Sequence, residues 1–256
     1  MKTVFITTSP KKKWSNSSYL LTITKWFTKG EKTWIAFQGP KDYETILNAL
    51  QYADNIVLAT PVYVDAVPPH VLFLLEKIQQ YAEEINLHFK VYVLCNCGFY
   101  EGIQCELALA VLQCWCERAG LHFCGGVGIG AGEMIGALRL SPIIGIFAVL
   151  IECFVGFFML LKNNMFSVQA LFDSLHISVA VISTMVFLLF SIGPWIGAAK
   201  IGKSISHQSV HGMGYCTVSF CPAFLFVFFA SIYWIVRSFF MHFLPPWKLF
   251  HKIKRL

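Results

Sequence analysis

Short apolar runs separated by longer amphipathic stretches fill the first half of the chain. Thr3–Thr7 (TVFIT), Thr33–Phe37 (TWIAF), Asn55–Ala59 (NIVLA), Phe89–Leu94 (FKVYVL) and Cys124–Ile129 (CGGVGI) have the length of strands, and most are rich in β-branched or aromatic residues. NIVLA is apolar along nearly its whole length, as a strand covered on both faces must be. Between these runs, Ser18–Phe27, Asp42–Tyr52, His70–Tyr81 and Gln104–Ala119 predict helices. Ile46, Leu47 and Leu50 recur at helical spacing, and the last helix carries Leu107, Val111, Leu112 and Trp115. Strand–helix alternation implies right-handed crossovers and a parallel sheet with helices on both faces. The predicted class is α/β, a doubly wound five-stranded sheet. Ligands in such sheets bind beyond the carboxyl ends of the strands, which directs attention to the loops after the first, third and fourth strands.

From about residue 141 the pattern changes. Ile143–Leu161 is an apolar run interrupted only by Glu152, and Leu175–Trp195 is a second of similar length ending in Gly-Pro-Trp. Each is long enough, at about 1.5 Å per residue, to cross a hydrocarbon core of roughly 30 Å. A third apolar stretch, Val218–Val236, contains Pro222 and runs into Arg237. The composition agrees: 56% of residues are hydrophobic and 13% charged, with mean hydropathy +0.61, whereas a soluble domain is about 25% charged. Residues 1–140 carry twelve Lys and Arg against twelve Asp and Glu, and residues 141–256 carry eight against two. Basic residues flanking apolar spans mark cytoplasmic membrane ends, so the charge points to lipid and not to nucleic acid.

The N-terminal MKTVFITTSPKKKW has too short an apolar stretch for a signal peptide, and its basic cluster follows that stretch. The first domain is therefore expected in the cytoplasm. Two spans return the chain to that side and keep the tail KLFHKIKRL there; a third span, the alternative, would export it. The expected organisation is an α/β domain over 1–140 and a transmembrane hairpin over 141–196, with spans at about 143–161 and 175–195. An amphipathic or apolar helical region with a basic tail then occupies 197–256. The chain is expected in the cell membrane, multi-pass, with both ends cytoplasmic.

Three loops carry candidate chemistry. Thr8–Ser18 places hydroxyls, Asn16 and three lysines between a strand and a helix N-terminus, where unpaired N–H groups and the positive helix end favour phosphate. A solvated loop with Ser17 or Ser18 as a plain N-cap is the simpler reading. In Thr60–Pro69 and Asn96–Gly102, Tyr63, Phe99 and Tyr100 suit packing against a flat ring, and Asn96 and the amides around Gly98 suit its polar edge. Turn residues with rim aromatics are the alternative for either loop alone.

Other features receive plainer readings. The nine cysteines are odd in number and several fall in core elements, including Cys95, Cys105 and Cys114, so they are expected reduced. Cys95-Asn-Cys97 and Cys114-Trp-Cys116 lack the two-residue gap of a zinc or redox pair, and His207 and His211 lack a third ligand, so no metal is expected. Glu152 either bonds Ser183 or Thr184 on a partner helix or belongs to an ion or proton path. Gly128–Gly132 follows a strand but leads into an apolar run, which argues against a Rossmann unit.

Four segments then occur in order at the strand ends. They are Ser9-Pro10-Lys11 with Ser15-Asn16-Ser17, Ala53-Asp54 leading to Thr60-Pro61-Val62-Tyr63, Asn96-Cys97-Gly98-Phe99-Tyr100-Glu101-Gly102, and Gly128-Ile129-Gly130-Ala131-Gly132-Glu133-Met134. In these, residues 1 to about 136 resemble the flavodoxin-like NAD(P)H-dependent FMN reductase family. Pro194–Gly202 and Pro222–Trp234 are similar to closing helices of its bacterial members, which implies a hairpin inserted between the fifth strand and the final helix.

The resemblance implies a flavodoxin-like fold with FMN as cofactor and NADH or NADPH as electron donor. Ser9, Lys11, Ser15, Asn16 and Ser17 would hold the phosphate. Pro61, Val62 and Tyr63 would line the isoalloxazine, and Asn96, Gly98 and Tyr100 would meet its other side. Because a flavin itself accepts the hydride, no catalytic side chain is expected. Thr-Ser-Pro-Lys stands where the family usually has Gly-Ser-Pro-Arg, and a lysine lacks the bidentate phosphate contact, a loss that Lys12 and Lys13 offset. The expected function is a membrane-anchored flavoprotein oxidoreductase serving an unidentified acceptor such as a quinone, in a chain that resembles proteins often found as homodimers. An electron-transfer protein that oxidises no nicotinamide and a flavin-free membrane interaction module are the rivals.

Overall fold

The computed structural model describes residues 1–11, 14–139, 181, 184–185, 191–217 and 222–242, and the chain divides into a unit Met1–Phe220 and a unit Cys221–Leu256. In the first unit six parallel strands form one sheet: β1 (Lys2–Thr7), β2 (Glu31–Ala36), β3 (Asn55–Pro61), β4 (Lys90–Asn96), β5 (His122–Ile129) and β6 (Gly212–Cys216). Their order is β2-β1-β3-β4-β5-β6. The first five fall where the apolar runs predict them, with ends displaced by at most two residues. An order of 2-1-3-4-5 is the flavodoxin-like arrangement, in which the winding reverses between β1 and β3.

The sixth strand corrects the expected five. GMGYC has two glycines and no β-branched residue, so nothing local marks it as a strand. Pairing makes it one: it lies beside β5 in a register running from Gly125↔Gly212 to Ile129↔Cys216. Gly125 has φ +126°, and a Cβ there would strike the Gly212 backbone, so only glycine permits this approach.

Helices α1 (Asn16–Phe27), α2 (Tyr43–Leu50), α3 (Pro69–Ile85), α4 (Glu106–Arg118) and α5 (Ile192–Ser206) cover the sheet. Side chains alternate across a strand, so Val4, Ile6, Ile56, Leu58, Val91 and Val93 share one face. They form a single buried cluster with Ile46 of α2, Leu74 and Ile78 of α3 and Leu112 and Trp115 of α4. Leu107 and Val111 of α4, by contrast, are exposed, because Ala108, Leu109, Leu112, Trp115 and Cys116 form the stripe that meets the sheet. The other face is covered by α1, against β1, β3 and β4, and by α5, against α1 and β5.

Helix α5 changes the expected division of the chain. Ile192–Trp195, expected as the end of a membrane span, is the first turn of α5, with Gly193 and Pro194 buried and Trp195 edge-on to Phe27 of α1 at 5.2 Å. Thr24 Oγ1 donates to Ala198 O at 3.1 Å, and Tyr19 and Ser191 share a hydroxyl bond of 2.7 Å. Gly202 lets the two helices meet, since a Cβ there would lie 2.5 Å from Thr24 O. Residues 197–216, expected in a separate helical region, thus supply most of α5 and all of β6 to the first unit. The expected span at 143–161 and the run 175–180 lie outside the described residues, as do Glu152 and Ser183. Among the described residues, no helix is long and apolar enough to cross a membrane. The second unit contributes α6 (Ala223–His242).

Candidate functional site

Every polar group that the sequence singles out near the switch point belongs to a strand end or the turn after it. After β1, the Thr8 N–H donates to Ala59 O at 3.0 Å, which lays the first loop over β3. His70 Nε2 donates to Thr8 O at 2.8 Å, fixing that tautomer, and Gln38 Nε2 donates to Ser9 O at 3.1 Å. Ser9 is buried, and its Oγ accepts the Lys11 N–H at 3.4 Å, so its own proton stays available to a ligand.

Helix α1 begins at Asn16, two residues earlier than Ser18. Ser15, not Ser17 or Ser18, is the N-cap: its Oγ accepts the Ser18 N–H at 3.1 Å and Ser18 Oγ accepts the Ser15 N–H at 3.2 Å. Tyr19 N–H donates to Ser15 O at 3.0 Å. Among the described residues, the N–H groups of Asn16 and Ser17 have no partner, and they stand at the positive end of the helix.

Asn96, the last residue of β4, ties three elements together. Its backbone O accepts the Val62 N–H at 2.8 Å, and its Oδ1 accepts Ser17 Oγ–H at 3.0 Å. The side chain is buried, and its Nδ2 has no partner among the described residues. The Cys97 N–H donates to Ile129 O at 3.0 Å and Gly132 N–H donates to Cys97 O at 2.8 Å, holding the third loop against the end of β5. After β3, Tyr63 and Ala66 exchange both backbone hydrogen bonds at 3.1 Å around Val64 (φ +51°) and Asp65 (φ +59°). Two consecutive left-handed residues make a turn of the type I′ class, unusual for a β-branched residue, and Tyr63 stands half-exposed at its base.

These loops enclose a cleft of about 130 Å³ lined by Ser9, Lys11, Ser15, Asn16, Ser17, Pro61, Val62, Tyr63, Asn96, Cys97 and Gly98. Every residue expected at the site is there except Tyr100. Tyr100 is not among the lining residues; its carbonyl lies against Gly130, and Ala131 N–H bonds Phe99 O. Cys97 is the residue sequence reasoning missed, although its place between Asn96 and Gly98 marked it. Its thiol hydrogen-bonds the side chain of Cys105, which holds it below the usual thiol range despite burial; the same pairing, and then burial, push Cys105 up. Among the described residues no carboxylate lines the cleft, and Lys11 brings a positive charge. Lys12 and Lys13 lie outside the described residues.

No family model and no curated protein matches the chain. Among solved structures, the Trp repressor binding protein from Bacillus subtilis covers 50% of this chain and 83% of its own, at 14% identity and TM-score 0.41. The apo form of an NADH:FMN oxidoreductase (EMOB) covers 49% and 73%, at 18% and 0.40. An NAD(P)H:quinone oxidoreductase from Methanothermobacter marburgensis covers 51% and 84%, at 14% and 0.38. Likeness at this level says nothing of what this chain binds, and the chemistry has to be argued from the cleft itself.

The donors gathered in the cleft suit an anion. Two unpaired N–H groups, the Ser9 hydroxyl and Lys11 offer donors and positive charge with no opposing carboxylate, the requirement for a phosphate. Beside them, Gly98 has open space where a Cβ would stand, so a flat group can approach its backbone. Among the described residues no group of three or more His, Cys, Asp or Glu is placed to hold a metal ion.

Proposed function

We propose that the unit Met1–Phe220 binds FMN and passes electrons from NADH or NADPH to an acceptor. One observation carries this reading: the anion cradle of α1 opens beside Tyr63, Asn96 and Gly98 at the β1/β3 switch point. Ligand pockets that enclose a whole small molecule measure roughly 300–1,000 Å³. The cleft would therefore hold the phosphate, and Pro61, Val62, Tyr63, Asn96 and Gly98 would meet the ring.

In this reading the Asn16 and Ser17 N–H groups and the Ser9 hydroxyl donate to phosphate oxygens, and Lys11 supplies charge. Ser17 also orients Asn96, whose Nδ2 offers a donor to the polar edge of the ring. Tyr63 supports the ring from the second loop, and Gly98 leaves room for it at the third. FMN, when bound, supplies hydride acceptance, so the protein contributes position and electrostatics.

The reading extends to the membrane. The apolar segments 143–161 and 175–190 form the anchor, the first unit and the C-terminus stay in the cytoplasm, and the acceptor is a lipid-soluble quinone. Carbonate washing is expected to leave the protein in the membrane pellet; release into the supernatant would contradict the anchor. An electron carrier that docks a protein partner is the second reading, favoured by the exposure of Tyr63, Val64 and Phe99 on the two loops beside the cleft. Consumption of NADH or NADPH by the FMN-loaded chain with an artificial acceptor separates the two. Turnover supports the oxidoreductase, and none with flavin bound supports the carrier.

A further inference from the structure

Helix α6 belongs to the unit Cys221–Leu256 and presents apolar side chains on most of its circumference. Phe224, Leu225, Val227, Phe228, Phe229 and Ile235 are all exposed, Phe224 at 72% and Ile235 at 69%. At about 100° per residue they spread over roughly 200° of the helical wheel. The less exposed positions, Phe226, Ala230 and Tyr233, form the opposite narrow stripe. A helix docking in a protein groove buries a stripe of about 100°. The exposed arc is twice that, so a single protein face would leave much of it in water, whereas acyl chains close around any width.

Charge identifies the kind of lipid. Residues 223–256 contain no Asp or Glu and five Lys or Arg: Arg237, Lys248, Lys252, Lys254 and Arg255. A broad apolar surface followed in sequence by basic residues is complementary to a bilayer with anionic headgroups.

We propose that α6 enters a bilayer containing anionic lipid, with Phe228 and Ile235 among the acyl chains and the basic residues after Trp234 supplying attraction to the headgroups. The proposal is independent of the flavin reading and of the segment 143–190, and its test reads α6 alone.

The full chain, purified in detergent, is mixed with vesicles of phosphatidylcholine, with or without phosphatidylglycerol, whose acyl chains carry bromine. The difference in tryptophan emission between the protein and its Trp234→Phe variant reports Trp234. The expected result is a blue-shifted Trp234 signal, strongly quenched with phosphatidylglycerol and several-fold less so without it. Ile235→Glu, at an exposed position, is expected to weaken the quench while far-ultraviolet dichroism stays unchanged. A Trp234 signal that stays unquenched while the protein floats with the vesicles would overturn the docking. Equal quenching in both vesicle types would overturn the role of charge. A Trp234 shielded in a dimer and unaffected by vesicles would assign the surface to a second copy of the chain.

Discussion

The two edges of the sheet both carry an open depression, and the smaller one gathers the unpaired donors. At the amino edge a groove of about 450 Å³ is lined by Asp54, His88, Lys90, His122 and Gln208 among others. Its charged groups already have partners in the chain. Asp54 Oδ2 accepts the Lys2 N–H at 2.6 Å and faces the terminal ammonium at 3.7 Å, and Lys90 Nζ donates to Gln208 Oε1 at 2.8 Å. At the carboxyl edge the cleft is about 130 Å³, yet two helix N–H groups and the Nδ2 of Asn96 have no partner among the described residues. Unmet hydrogen bonds beside buried polar groups cost stability unless a ligand meets them, so they mark a site better than volume does.

The sharpest way to break this contrast is Ser15→Asp. Aspartate caps a helix as well as serine, so α1 should survive, but a carboxylate enters the cradle. A unit charge about 4 Å from a phosphate costs ~4 kcal/mol at an effective dielectric near 20, so FMN affinity should fall by roughly 1,000-fold, read by flavin fluorescence titration. Next in size is Gly202→Val, which forces a side chain onto Thr24 O and pushes α5 from α1. A loss of about 3 kcal/mol in a urea melt is expected, in the upper range for overpacking.

Asn96→Ala removes the Ser17 tether and the Nδ2 donor together. With each hydrogen bond worth about 1 kcal/mol, FMN affinity should fall roughly tenfold or somewhat more. At the other edge, His122→Ala and Lys90→Ala should leave FMN affinity unchanged and stability within about 0.5 kcal/mol. A tenfold loss of FMN there would reverse the assignment of the two edges.

The amino edge should instead respond weakly to pH. Burial, and then the charge of Lys200, hold His211 below its ordinary value. Between that lowered value and about 6.5 the unfolded chain binds more protons than the folded one. This contribution to stability is therefore fully present above about pH 6.5 and is lost as pH falls toward the folded value. A lower urea midpoint at about pH 5.5 than at about 7.5 is expected, with His211→Asn reducing the difference.

Sequence alone reveals what repeats locally. Strand runs such as NIVLA and helical spacing such as Ile46, Leu47 and Leu50 announce the first five strands and four helices. The loops at their carboxyl ends follow from the winding rule, which is why Ser9, Asn16 and Asn96 could be named before their geometry was known. GMGYC was invisible because pairing with β5 creates the strand and its own residues do not. Ile192–Trp195 misled because apolar residues and a Gly-Pro-Trp end look alike in a lipid interface and in a helix packed on Phe27.

The most direct test of the central claim is the visible absorption spectrum of the full chain after FMN is added and the excess removed. The cleft predicts oxidised-flavin bands at about one flavin per chain, lost in Ser15→Asp and retained in His122→Ala. A folded protein that emerges colourless, or one that keeps its flavin in Ser15→Asp, would contradict the assignment of the carboxyl-edge cleft as a flavin phosphate site.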